Sequence, residues 1–157
     1  MIYINRQLGA ALPDLIDATK KYIDLTIYCM SPLTATTQPR HRRLIDALIN
    51  ARKRGLFCRA IIAKLHRDSP GQKANDMSVA MLRNAGWYVR TSRGCPTMHA
   101  KISIFDNSLA LIGSHNWTDA ALWINHEATM STCDAIDLQK LRVLYDTLWA
   151  ATNESNP

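Results

Sequence analysis

No apolar run in this chain approaches the ~20 residues that a helix needs to cross a bilayer. The first residues, Met1-Ile2-Tyr3-Ile4-Asn5-Arg6, lack the basic head and apolar core of a secretory leader. Stable membrane association is therefore not expected, and the cytoplasm is the expected location. Cysteine is sparse and scattered: Cys29, Cys58, Cys95 and Cys133 include no two within four residues, so the paired ligands of a structural zinc site are missing. Cys29 and Cys58 fall in apolar, strand-like runs, where a free buried thiol is the commoner state and a reducing compartment the simpler reading. Repeats, linkers and low-complexity stretches are also missing. That leaves one domain over residues 1–157, long enough for a single sizeable core, with a disordered tail expected at 153–157. Acidic residues are in the minority, 13 against 19 Lys and Arg, and the net charge of +6 suits a polyanionic partner.

What is present alternates between two periods. Leu12, Leu15, Ile16 and Ile23 recur at helical spacing, with Pro13 expected in the first turn. Tyr22 to Met30 reads as a strand. Pro39 starts a helix with a Leu44, Ile45, Leu48, Ile49 stripe, and Gly55 ends it. Phe57 to Ala63 reads as a buried strand, 64–73 as a polar loop, and Ala74 to Ala85 as a helix stopped by Gly86. Trp87 to Thr91 and Asn125 to Thr132 read as further strands. A last helix from Asp134 to Ala151 is expected to bury Leu138, Leu141, Leu144 and Leu148. The pattern predicts an α/β fold, a mixed β-sheet with helices on both faces.

The most informative stretch runs from His99 to Asn116. Ala100 to Phe105 reads as a strand, with Ala100, Ile102 and Ile104 on one face and His99, Lys101 and Ser103 on the other. Asp106-Asn107-Ser108 is turn chemistry, and Leu109 to Ile112 is a second strand, so the pair reads as a hairpin. Ser114 and Asn116 emerge at the mouth of that second strand. An imidazole, an ammonium, a hydroxyl and a carboxamide are thus collected within eighteen residues. Lys101 is the telling member, because strands disfavour lysine and burial of lysine needs a partner.

This stretch resembles the phospholipase D superfamily, whose H-x-K-x4-D and x6-G-S-x-N pattern is matched by His99, Lys101, Asp106, Gly113, Ser114 and Asn116. Glu127 falls where that family places a downstream glutamate. The small single-motif bacterial nucleases of the superfamily resemble the chain in length and order of elements. The resemblance implies a metal-independent phosphodiesterase without cofactor, acting on nucleic acid. His99 would be the nucleophile of a phosphohistidine intermediate. Lys101 and Asn116 would hold the non-bridging oxygens, Ser114 would add a hydroxyl, and Glu127 would accept from a histidine ring and fix its tautomer. Asp106 and Gly113 are expected to support the motif structurally. The family's chemistry uses two histidines, and no second His-x-Lys occurs here: His41 precedes Arg42-Arg43 and His66 precedes Arg67-Asp68. The resemblance therefore implies a homodimer with one His99 from each copy.

Candidate substrate contacts are Arg40, Arg42 and Arg43, whose charge opposes the dipole at a helix N-terminus, and Lys64, His66, Arg67 and Arg93 in loops. Trp117 and Trp123 could stack on bases or pack in the core. No metal ligation is expected; His115 should pack or hydrogen-bond near the motif. Two other classes stay open: a phospholipid phosphodiesterase using the same residues, and a nucleic-acid-binding dimer that does not cleave.

Overall fold

The structure, a computed structural model, describes residues 1–32, 34, 37–92 and 97–152. Among them seven strands form one mixed sheet: β1 (Ile2–Ile4), β2 (Tyr22–Ile27), β3 (Phe57–Ala63), β4 (Tyr88–Ser92), β5 (Ile102–Phe105), β6 (Leu109–Gly113) and β7 (Ala128–Thr132). Their order is β1-β7-β6-β5-β2-β3-β4. β2, β3 and β4 are mutually parallel, while β2–β5, β5–β6, β6–β7 and β7–β1 are antiparallel. One consequence places the site. The carboxyl ends of β1, β2, β3, β4 and β6 and the amino ends of β5 and β7 all lie along a single sheet edge.

Helices cover both faces. α1 (Arg6–Ala18), α2 (Pro39–Lys53), α3 (Pro70–Asn84) and the short α4 (Asp119–Trp123) share one core with β2, β3 and β4. Leu12, Ile16, Leu44, Ile45, Leu48 and Leu82 are buried there against Ile23, Leu25, Ile27 and Ile62. α5 (Ala135–Ala151) lies alone on the other face, with Leu138 and Tyr145 packed on Ile61, Ile102, Ile104 and Ala110. Asp24 pins it. Buried on β2, it takes both Arg59 and Arg142, and Arg59 also reaches Asp146 of α5. α5 stops short of the far strands. Ile112, Met130 and Ile2 are successive cross-strand neighbours on the α5 face, and all three remain exposed.

Several expectations are corrected. Pro13 sits in the middle of α1, because the helix begins at Arg6, and Ile23 belongs to β2. α3 begins four residues early, since Pro70 follows the Ser69 cap, which accepts from the Gln72 N–H, and occupies the first turn that tolerates proline. In α5 Leu144 is 42% exposed, its place against the sheet taken by Tyr145. The strands at Tyr22 and Asn125 are shorter than expected, ending at Ile27 and starting at Ala128. The expected tail at 153–157 lies outside the described residues, as do Arg93 and Cys95.

Candidate active site

The motif hairpin forms as its pattern implies. β5 and β6 pair with Ile102 opposite Ile112 and Phe105 opposite Leu109. Asp106 and Asn107 both adopt positive φ, 52° and 53°, and the Ser108 N–H closes the turn on the Phe105 carbonyl at 3.0 Å. Asp106 then does more than turn the chain. Its carboxylate accepts from the backbone N–H groups of Lys20, Lys21 and Tyr22 at 2.7, 2.7 and 3.0 Å, fastening the hairpin to the start of β2. Burial alone would raise its pKa; those three N–H donors and the Lys21 charge outweigh burial and hold it below the usual carboxylate value.

β5 starts at Ile102, so His99 and Lys101 lie just before it, at the shared edge. His99 is exposed, whereas Lys101 is buried. The Lys101 ammonium donates to the His99 carbonyl at 2.8 Å and stands 3.2 and 3.1 Å from the two ring nitrogens. A point nearly equidistant from both nitrogens lies across the ring and not along either in-plane lone pair. Tyr28, the residue after β2, completes the group. Its ring meets His99 edge-on at 4.6 Å and carries the ammonium 5.0 Å from its centroid. Burial lowers the Lys101 pKa, and the opposing Glu127 charge raises it only partly back.

Across the edge, the Cys29 N–H donates to Asn116 Oδ1 at 3.1 Å. With that oxygen engaged, the carboxamide has its NH2 to offer an anion. Ser114 donates to Glu127 Oε2 and accepts the Ala128 N–H at 3.1 Å. Gly113 is required by contact: a Cβ there would strike the Thr129 side chain and the Ala128 carbonyl. Among the described residues no hydrogen bond joins Glu127 to a histidine of its own chain. Its carboxylate instead bonds Ser114 and Asn125, the latter at 3.4 Å.

One residue behind Glu127 escaped the sequence reading. Asn5, just after β1, holds φ 51° and ψ −130°, a conformation strained for any residue but glycine. Its N–H donates to the Glu127 carbonyl at 2.8 Å, and its Oδ1 accepts the Glu127 N–H at 3.0 Å. Its carbonyl faces His115 Nε2 at 2.9 Å, while His115 Nδ1 faces the Thr129 hydroxyl at 2.7 Å. A carbonyl can only accept, so Nε2 bears the proton in the neutral ring and Nδ1 accepts from Thr129. His115 is buried and hydrogen-bonded as expected. The one sequence sign of Asn5 is that Asn tolerates positive φ better than other non-glycine residues.

The expected substrate contacts separate. Arg40 pairs with Asp119 at 3.5 Å and lies over Trp123, Arg43 pairs with Asp14, and Arg42 donates to the Thr34 carbonyl. These partners offset the cations at the α2 N-terminus within the fold. Lys64 pairs with Asp76, whereas His66 and Arg67 are exposed beyond the carboxyl end of β3, on the site edge. Trp117 is 2% exposed within the core, and no ring face is left for a base; this stacking expectation is corrected. Among the described residues no three His, Cys, Asp or Glu side chains cluster to hold a metal ion, and no helix is long and apolar enough to cross a membrane.

Comparison with known proteins places the whole arrangement. The model of the family described as Cardiolipin synthase, PLD-like domain, matches residues 12–149. The human mitochondrial cardiolipin hydrolase is 26% identical over 150 residues, covering 96% of this chain and 52% of that protein. The chain spans about half the length of the curated relatives it matches. The phospholipase D family member Nuc from Salmonella typhimurium superposes with a TM-score of 0.80 at 20% identity, covering 100% of this chain and 99% of that one. NucT from Helicobacter pylori gives 0.77 at 17% identity, covering 97% and 96%.

Proposed function

This chain belongs to the phospholipase D superfamily, and on that premise we propose that it is a metal-independent phosphodiesterase cleaving nucleic acid in a site shared by two copies. One observation carries the reading: an exposed imidazole against a buried ammonium, with a carboxamide on the same sheet edge whose oxygen is already engaged. His99 attacks phosphorus in line, forming a P–N bond as the P–O bond to the leaving group breaks. The departing oxygen takes its proton from His99 of a second copy. Water then attacks the phosphohistidine, that same second histidine accepts its proton, and His99 is freed. Lys101 and the Asn116 NH2 stabilise charge on the non-bridging oxygens throughout.

Two features support the second copy. A single chain supplies one histidine of the pair, and the exposed Ile2–Met130–Ile112 ladder runs up to Ser114, two residues beyond Ile112. An apolar face continuous with the site suits a two-fold partner. Nucleic acid is favoured by the net charge of +6 and by the exposed His66 and Arg67 on the same edge. A phospholipid substrate is the second reading, favoured by the relatives described as mitochondrial cardiolipin hydrolases.

The test is cleavage of labelled single- and double-stranded DNA and RNA, and of cardiolipin vesicles, in excess EDTA, with His99→Ala alongside. Metal-free nucleic-acid cleavage that the variant loses is the expected result. Vesicle hydrolysis alone would establish the lipid reading, binding without cleavage would establish a binding dimer, and loss of cleavage in EDTA would refute metal independence.

A further inference from the structure

We infer that Asn5 is a positioning residue for the reaction proposed above: its strained backbone and its amide oxygen together hold Glu127 on Ser114, next to the segment that carries Lys101. The inference rests on that reading of the site. A non-glycine residue at φ 51° and ψ −130° is strained and persists only where surrounding structure over-determines it. Here the surroundings are the site. Asn5 brackets Glu127 with two hydrogen bonds, one given by its backbone and one received by its side chain. Its carbonyl receives His115 Nε2, and His115 lies between Ser114 and Asn116 in the chain. One twisted residue therefore reaches both sides of the edge: Glu127 directly, and the Ser114–Asn116 segment through the buried imidazole.

The alternative conformation shows what the strain accomplishes. In ordinary extended backbone Asn5 would continue β1 opposite Glu127 and its carbonyl would take the Glu127 N–H; the twist turns that carbonyl to His115 and leaves the side-chain oxygen to accept in its place. Glycine would hold the observed φ and ψ without strain but would lack the acceptor for the Glu127 N–H. Only a residue that tolerates positive φ and carries a short side-chain acceptor meets both demands, and Asn and Asp are the two that do. Glu127 in turn holds Ser114, whose neighbour Gly113 donates its N–H to the Lys101 carbonyl at 3.3 Å; the titratable groups in contact with the Lys101 ammonium are His99 and Tyr28. Burial favours loss of the Lys101 proton and Glu127 opposes it, so the placement of Glu127 keeps the ammonium charged at higher pH.

The deciding experiment compares Asn5→Gly and Asn5→Asp with the unmodified chain. For Asn5→Gly the thermal midpoint should hold or rise as the strain is relieved. kcat should fall about 10- to 100-fold, as for a reacting group displaced by about an ångström, with KM nearly unchanged. The alkaline limb of the rate profile should move to lower pH. Asn5→Asp, which keeps the acceptor, should restore most of kcat. In parallel, the Lys101 side chain is titrated by NMR in the unmodified and Gly proteins, a readout that needs no turnover. A Lys101 midpoint unmoved by Asn5→Gly overturns the inference whatever the substrate proves to be. If it moves while the unmodified chain cleaves no phosphodiester, the positioning stands and the reaction assigned above fails. Unchanged kcat in an active Asn5→Gly enzyme also overturns it.

Discussion

Replacing Asp24 by alanine should cost about 3 kcal/mol of folding stability, the low end of the ~3–5 kcal/mol expected when one partner of a buried ion pair is removed. The structure decides where in that range the value falls. Asp24 is 1% exposed and takes Arg59 in a two-pronged contact, at 2.7 and 2.9 Å, together with Arg142. Without it two guanidiniums, one from β3 and one from α5, are left mostly buried against the sheet. Their side chains keep 18% and 20% exposure, and Arg59 retains Asp146 at 3.2 Å, so water and a second carboxylate recover part of the loss. For a chain of this length ~3 kcal/mol lowers the thermal midpoint by about 6–12 °C. The control is Asp14→Ala, which breaks an Arg43 pair whose side chains are 61% and 68% exposed and should cost less than about 1 kcal/mol. Scanning calorimetry on both variants and on Asp24→Ala/Arg59→Ala measures the difference. An Asp24→Ala midpoint no lower than that of Asp14→Ala would refute the view that this cluster fixes α5.

Asp106→Asn should destabilise the protein at neutral pH, with the gap closing in acid. A folded pKa below the ordinary ~3.9 adds stability above that value and loses it as pH falls through the lower one. Urea midpoints from pH 7 to pH 2 check this, and a constant gap would refute it. Gly113→Ala should cost ~1–3 kcal/mol and remove activity, because β6 and β7 must separate beside Ser114. Trimming Thr129 to alanine in the same chain should not restore it, since the Ala128 carbonyl still obstructs; recovery would argue against that contact. Met130→Glu should give a folded monomer by sedimentation, with hydrolysis lost; an active monomer would dismiss the shared site.

The elements legible in the sequence were those whose pattern ran long enough to show a period. β3 has the expected bounds, Phe57 to Ala63, and α2 starts at the proline that suits its first turn. β1 has three residues and α4 five, too few for any period to appear. Pro13 and Pro70 were misplaced for opposite reasons: one is tolerated inside a helix and the other opens one. The motif put His99, Lys101, Ser114 and Asn116 together because alternation along adjacent strands is a local property. Asn5 stayed hidden because its partners, Glu127 and His115, are more than a hundred residues away. Glu127 itself was found, but its bond to Ser114 depends on the register between β6 and β7, which spacing within one strand does not set.

The clamp of Asp106 on Lys20, Lys21 and Tyr22 spans 84 to 86 positions of chain, and this separates two timescales in the birth of the molecule. The β5–β6 hairpin is local and can close in about 1–10 μs. Setting it beside β2 means closing a loop of that far greater length, and contacts of such sequence separation slow folding. Until then His99 and Lys101 have no Tyr28 beside them, and Asn116 has no Cys29 N–H to turn it. In refolding from denaturant, the return of helical signal should therefore precede the return of turnover, and the lag between them times the arrival of β2.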